Sequence, residues 1–327
     1  MTLPLVLMSH PLPPEWTASL QGRVRLLTGP PDPPGFAQHL LDRLGEAEGI
    51  MSMLIDRVDE TLLSMAPRLR VVSNYAVGYD NIDIPACTRR KIPVGNTPGV
   101  LTDATADLAM ALLLSSARCI VTAATDARNG LWQIWTPTGW LGADLRGATL
   151  GIIGLGKIGR AVAQRAKGFG LNVVYFKPKR EPEVEAALGV TYLPLDNLLS
   201  TSDFISLHAP LTPQTRGLID EAALKKMKRT AILINTARGS IVVTDALERA
   251  LREGWIAGAG IDVTDPEPLP KDHPLYSLPN CLVIPHIGSA THGTRRRMAE
   301  LACENLLAGL EGSKLPNCVN QELYLEK

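Results

Sequence analysis

Short apolar runs alternate along this chain with stretches of helical periodicity. Over the first hundred residues, 5–7, 49–54 and 69–73 read as strands and 36–44 and 84–90 as helices, which predicts a parallel sheet with helices on its faces. The segment 93–99, holding Pro93, Gly95, Pro98 and Gly99, breaks that alternation and marks a hinge. A long helix is predicted next, from Thr102 or Asp103 to about Ala127, with a cap residue at its start and Asp103 and Asp107 in its early turns. Its apolar side chains, Leu108, Leu112, Leu113, Ile120 and Val121, are more than one domain face requires, and a subunit contact is expected there. Beyond a tryptophan-rich loop at 130–140, six apolar runs (149–153, 173–176, 204–208, 231–235, 258–262 and 281–284) alternate with helical stretches such as 160–169, 195–200 and 245–253. That count suits a doubly wound dinucleotide-binding fold. Residues 293–310 are helical by pattern. The first ninety-odd residues lack a closing partner, so this helix is expected to cross back to them. The expected domains are therefore 1–98 completed by 289–327, which is discontinuous, and 99–288.

The first of the six runs feeds the loop Gly154-Leu155-Gly156-Lys157-Ile158-Gly159, a G-x-G-x-x-G turn opening a helix. Gly154 permits the tight turn, Gly156 lets backbone approach a pyrophosphate, and Gly159 lets helix and strand pack closely, with the positive helix end facing the anion. About twenty residues on, the second run ends where a ribose-reading residue should sit. NAD-specific folds place an acid there; this chain has Lys177-Pro178-Lys179-Arg180. A 2′-phosphate is the better-matched partner, so NADP(H) is the expected cofactor ahead of NAD(H). A solvated basic loop is the alternative reading of those four residues.

Length and charge narrow the function class. At 327 residues two domains of ordinary size are expected, and 33 basic against 33 acidic residues argue against a general polyanion binder, so nucleic acid is not implied. Cys87, Cys119, Cys281, Cys303 and Cys318 show no metal-ligand spacing and read as reduced thiols, with no metal site. Residues 3–8 are apolar but short and lack a basic leader, and the longest later apolar run, 108–114, falls far below the roughly 20 residues of a membrane span. A soluble cytoplasmic protein is expected.

Strand ends of an open parallel sheet point at the ligand crevice, which makes the polar residues just beyond them site candidates. Arg238 follows the fourth run of the second half, Glu267 the fifth and His286 the sixth. Arg238 offers a planar fork of donors for a carboxylate. His286 can exchange a proton with a hydroxyl near neutral pH, and Glu267, if within reach, would raise its pKa and fix the ring. His208 reads as structural, and His10, His39, His273 and His292 have no motif support.

Six segments, Asn74–Asn81, 96–107, the Gly154 loop, 235–240, 260–269 and 285–291, resemble over essentially the whole chain the D-isomer-specific 2-hydroxyacid dehydrogenases, the glyoxylate/hydroxypyruvate reductase branch most of all. The resemblance implies an α/β protein of two Rossmann-like domains, a flavodoxin-like discontinuous substrate domain and a doubly wound dinucleotide-binding domain. It implies that Arg238, Glu267 and His286 are catalytic and that Asp262 holds the nicotinamide carboxamide. Val77 and Gly78 would offer amides to the substrate carboxylate, with Leu54 and Ser289 lining the pocket. Pro210, Thr236 and Gly288 would join the cofactor wall. The long helix and the tryptophan loop would form a homodimer interface, with Trp135 or Trp140 reaching into the partner's active site and Trp140 among the substrate-binding residues. The implied reaction is NADPH-dependent reduction of small 2-oxo acids, glyoxylate to glycolate and hydroxypyruvate to D-glycerate. Larger 2-oxo acids such as 2-ketogluconate are the rival substrates, and a dinucleotide-sensing, corepressor-like protein without turnover is the rival class. Two departures stand out: Val77 sits where phosphite dehydrogenases carry Lys, and Lys177–Arg180 matches neither the NAD acid nor the Ser-Arg pattern of NADP-using relatives.

Overall fold

A computed structural model describes residues 2–31 and 35–325. They divide into two compact units, one running to Leu101 and resuming at Ala290, the other Thr102–Ser289. In the first unit β1 (Leu5–Met8), β2 (Arg25–Thr28), α1 (Gln38–Leu41), β3 (Gly49–Ser52), α2 (Glu60–Met65), β4 (Val71–Asn74), α3 (Ile84–Arg89) and β5 (Val94–Gly95) follow one another. The sheet is wholly parallel with order β2-β1-β3-β4-β5, the flavodoxin-like order. β1, β3 and β4 are buried along their whole length, as an inner parallel strand requires. β2 was not anticipated. It is an edge strand whose Arg25 is exposed and whose other residues are half-buried, so the apolar run that marks an inner strand is diluted. The C-terminal helix (His292–Leu310) covers one sheet face, where Ser73 Oγ donates to the Ala302 carbonyl at 2.7 Å. A Cβ at Gly309 would lie 2.5 Å from the Val71 side chain, so only glycine allows that approach.

The second unit contains α4 (Thr102–Ala117), α5 (Ile120–Arg128), β6 (Thr149–Ile153), α6 (Lys157–Gly168), β7 (Asn172–Phe176), α7 (Pro182–Leu188), β8 (Thr191–Tyr192), α8 (Leu195–Thr201), β9 (Phe204–Leu207), α9 (Glu221–Lys226), β10 (Ile232–Asn235), α10 (Thr244–Arg252), β11 (Gly258–Ile261) and β12 (Cys281–Val283). Its parallel sheet has the order β12-β11-β10-β9-β6-β7-β8, a doubly wound arrangement whose direction reverses between β6 and β9. Seven strands replace the expected six, because β8 is only two residues long and leaves little pattern. An apolar cluster lies on each face of each sheet.

The single helix expected from 102 to about 127 is two helices, bent by 62° at residues 118–119. No proline or glycine signals the break. Cys119 takes a left-handed φ of 50°, and the Ala117 carbonyl accepts the Ala143 amide at 2.7 Å instead of continuing the helix. The stop is thus supplied by a segment 26 residues downstream. α6 likewise starts at Lys157 and not at Arg160, because helical geometry begins directly after Gly156. No single helix among the described residues is long and apolar enough to cross a membrane.

Candidate active site

The glycine loop joins β6 to α6 at the point where strand order reverses. Gly154 has a φ of +100°, and a Cβ there would lie 2.6 Å from the Ala209 amide nitrogen, so the loop after β9 abuts it directly. A Cβ at Gly159 would collide with the Gly154 carbonyl. At Gly156 it would meet nothing, leaving open space beside the first turn of α6, whose amides no side chain caps. An uncapped helix start behind an open glycine is a cradle for an anion. Further along the same edge, the Thr236 hydroxyl after β10 is buried without a partner, an acceptor and donor awaiting a polar ligand group. These features fit a nicotinamide dinucleotide.

At the end of β7 the basic cluster is less bare than its sequence implies. Lys177 Nζ lies 2.9 Å from Glu181 Oε2, and Arg160 Nη2 lies 3.0 Å from the same oxygen. Arg180 makes a two-point contact with Glu185 at 2.7 and 2.8 Å. The hydrogen bond from Lys177 holds the Glu181 carboxyl below the usual carboxylate range, and Arg180 does the same for Glu185. Neither acid was singled out from sequence, although Lys177 and Glu181 are four residues apart. Pro210, in the loop after β9, accepts a hydrogen bond from Thr215 Oγ1 at 2.7 Å. His208 Nε2 lies 2.8 Å from Ser206 Oγ, and desolvation pushes its pKa down to about 4.

The three strand-end candidates are built into interlocked turns. After β10, Asn235 Oδ1 accepts the Ala237 amide at 3.0 Å and its Nδ2 donates to the Arg238 carbonyl at 2.9 Å, fixing the turn that carries Arg238. Gly239 follows because a Cβ there would collide with the Thr264 carbonyl. Ser240 Oγ donates to Asp265 and Thr244 Oγ1 to the Asp265 carbonyl, tying this turn to the loop that carries Glu267. Sequence reading missed Asn235, Ser240 and Asp265 because they act on backbone or on one another.

Glu267 Oε1 lies 2.5 Å from His286 Nδ1, and its Oε2 accepts the Thr264 amide at 3.2 Å. With Nδ1 engaged, Nε2 is the ring nitrogen that can meet a substrate oxygen. Burial works against ionising Glu267, but His286, the Thr264 amide and the Arg238 charge outweigh it and pull its pKa below the ordinary value. His286 itself sits at φ +50°, an uncommon conformation for a residue with a side chain. Asp262, at the end of β11, enforces it. Its carboxylate accepts the Ile287 amide at 2.6 Å and the Gly288 amide at 2.8 Å, and its carbonyl accepts the His286 amide at 2.9 Å. Burial raises the Asp262 pKa, and the two amides and His286 oppose that shift. Thr105 Oγ1 closes the ring by donating to the Gly288 carbonyl at 3.1 Å. Ser289 is the last residue of this unit.

Elsewhere in the unit, Trp140 takes a φ of 48° and donates Nε1 to Asp126 Oδ2 at 2.8 Å, while Trp132 and Trp135 of the same loop are 63% and 77% exposed. In the first unit Leu54 follows β3, and Val77 and Gly78 follow β4. Their carbonyls are tied down, Val77 by Asn96 Nδ2 and Gly78 by Asn74 Nδ2, each at 2.8 Å.

Residues 110–288 match the family model described as the NAD binding domain of D-isomer specific 2-hydroxyacid dehydrogenases. The glyoxylate reductase of Korarchaeum cryptofilum is 47% identical over 98% of this chain and 97% of its own length. Among solved structures, a Thermus thermophilus protein superposes with a TM-score of 0.90 at 48% identity, covering 96% of this chain and 99% of that one. An NADPH-dependent glyoxylate/hydroxypyruvate reductase from Sinorhizobium meliloti, solved with NADP and malonate, superposes with a TM-score of 0.87 at 32% identity, covering 98% of each chain.

Proposed function

The chain belongs to the D-isomer-specific 2-hydroxyacid dehydrogenases, and from that premise we propose that it reduces small 2-oxo acids, glyoxylate and hydroxypyruvate first, with NADPH as the reductant. The observation that carries this reading is the Glu267–His286 pair at 2.5 Å, at strand ends of a dinucleotide-type sheet and within the electrostatic reach of Arg238. In the proposed roles the Arg238 guanidinium orients the substrate carboxylate. His286 gives the proton from Nε2 to the oxygen that becomes the hydroxyl, and Glu267 on Nδ1 keeps the ring aimed. When bound, the nicotinamide supplies the hydride. In the first unit, Val77 and Gly78 are proposed to offer backbone amides to the carboxylate and Leu54 apolar wall; Ser289 is proposed as pocket lining. Asp262, Thr236, Gly288, Pro210 and the loop Gly154–Gly159 are proposed to hold the cofactor, with Lys177, Pro178, Lys179 and Arg180 facing its adenosine ribose.

The functional assignment of the units follows from these roles: the first is proposed to be the substrate domain and the second the NADP domain. The exposed apolar loop of Leu131, Trp132, Ile134, Trp135 and Leu141 supports a homodimer interface formed with α4 and α5. Loss of absorbance at the reduced-nicotinamide band, with NADPH and NADH run separately against glyoxylate, hydroxypyruvate and 2-ketogluconate, tests the function. Fast NADPH oxidation with the first two is expected. Oxidation only with the larger acid would move the substrate class, and tight NADPH binding without any oxidation would favour a sensor over an enzyme.

A further inference from the structure

We infer that Glu181 is an internal competitor for the cofactor's 2′-phosphate, occupying the two cations that would otherwise receive it. This rests on the NADPH reading above and adds a residue that sets how strongly that cofactor is preferred. Three observations converge. One carboxylate oxygen, Glu181 Oε2, lies 2.9 Å from Lys177 Nζ and 3.0 Å from Arg160 Nη2, so a single anionic atom bridges both cations. The cations come from the two elements that frame a dinucleotide's adenosine end. Lys177 directly follows β7, and Arg160 lies in the first turn of α6 with Nε donating to the Leu155 carbonyl of the glycine loop at 3.2 Å. The backbone of Glu181 is pinned separately, its amide donating to Tyr175 Oη at 3.0 Å, so the side chain can swing out while the chain stays in place.

Charge makes the competition direct. A phosphate monoester carries about −1.5 to −2 near neutral pH. Seated on Lys177 and Arg160, it would face the Glu181 carboxylate across the same two cations, and like charges at that range repel. The carboxylate must leave before the phosphate can enter. A ribose that carries only hydroxyls does not need the cations, and Glu181 can stay. Glu181 therefore weakens NADPH binding and spares NADH. Lys177, Arg160 and Glu181 are all partly exposed, so the two contacts are of the weak surface kind, each worth up to about fivefold in a binding constant. Together they set an expected effect on the order of tenfold.

The test is calorimetric titration of the full chain and its Glu181→Gln variant with adenosine 2′,5′-bisphosphate and with 5′-AMP, two fragments whose binding is read without turnover. The variant should bind the bisphosphate on the order of tenfold more tightly, with 5′-AMP changed less than about twofold and the gain shrinking at high salt. Unchanged or weaker bisphosphate binding by the variant would overturn the inference. If the unaltered chain shows no preference for the bisphosphate, the NADPH reading fails by itself, and the variant still decides. A preference that appears only on removing the carboxylate upholds competition, whereas weakened 5′-AMP binding would mean that Glu181 reads the ribose hydroxyls.

Discussion

Two stretches of the same strand-end edge, one beyond β7 and one beyond β11 and β12, are built by opposite means. Beyond β7 the charged groups Lys177, Arg180, Glu181 and Glu185 hold one another through partly exposed ion pairs. Beyond β11 and β12 the groups are held by backbone: Asp262 takes two amides, Glu267 takes one, and His286 is locked in a left-handed conformation. Exposed ion pairs exchange partners readily, whereas the Gly288 amide is buried, and stripping a buried amide of its acceptor costs about 1–3 kcal/mol. Proton transfer needs a ring nitrogen placed within tenths of an ångström, and cofactor choice needs only a balance of charge. In the proposed roles, the rigid arrangement is the one that aims His286 and the soft one is the one that meets the cofactor's ribose.

Substitutions at the two ends should separate these two arrangements, and the largest effect belongs to the rigid end. His286→Ala is expected to lower turnover by roughly a hundredfold or more with little change in NADPH affinity, as loss of a general acid implies. Steady-state kinetics decide it, and near-normal turnover would remove His286 from the chemistry. Asp262→Ala should come next. Two amides lose their acceptor, and that of Gly288 is buried, so stability should fall by about 1–3 kcal/mol, read as a lower midpoint in denaturant with an unchanged slope. An unshifted midpoint would mean that the clamp on Ile287 and Gly288 is idle. The smallest effect is expected at the soft end. Replacing Lys177 and Arg180 with Ala should raise the KM for NADPH about tenfold while leaving NADH and stability nearly untouched. Equal changes for both cofactors would end the contrast between the two regions.

Much of the architecture was legible in the chain. Inner parallel strands such as β6 and β10 are short, continuous apolar runs, and burial on both faces writes that pattern without help from distant residues. Arg238, Glu267 and His286 stand out as candidates because each follows such a run, and strand ends of an open parallel sheet point at the ligand crevice. The glycine loop is readable for the same local reason, since a tight turn and a close helix restrict those positions to glycine. What escaped depends on contacts between segments far apart or on weak local pattern. The edge strand β2 and the two-residue β8 bury too little to leave a run.

The sequence by itself determined the inner strands, most of the helices, the tight glycine turn after β6 and which polar residues follow the strand ends, because periodicity and steric limits act over a few neighbouring residues. Tertiary structure alone decided where the helix after Thr102 stops, since Ala143 takes the Ala117 carbonyl. It also decided that Asp262 would hold the His286 turn and that Glu181 would sit on both Arg160 and Lys177. Those outcomes depend on which polar groups meet once the chain has folded back on itself, and a hydrogen bond or ion pair between separated segments leaves no periodic mark along the chain.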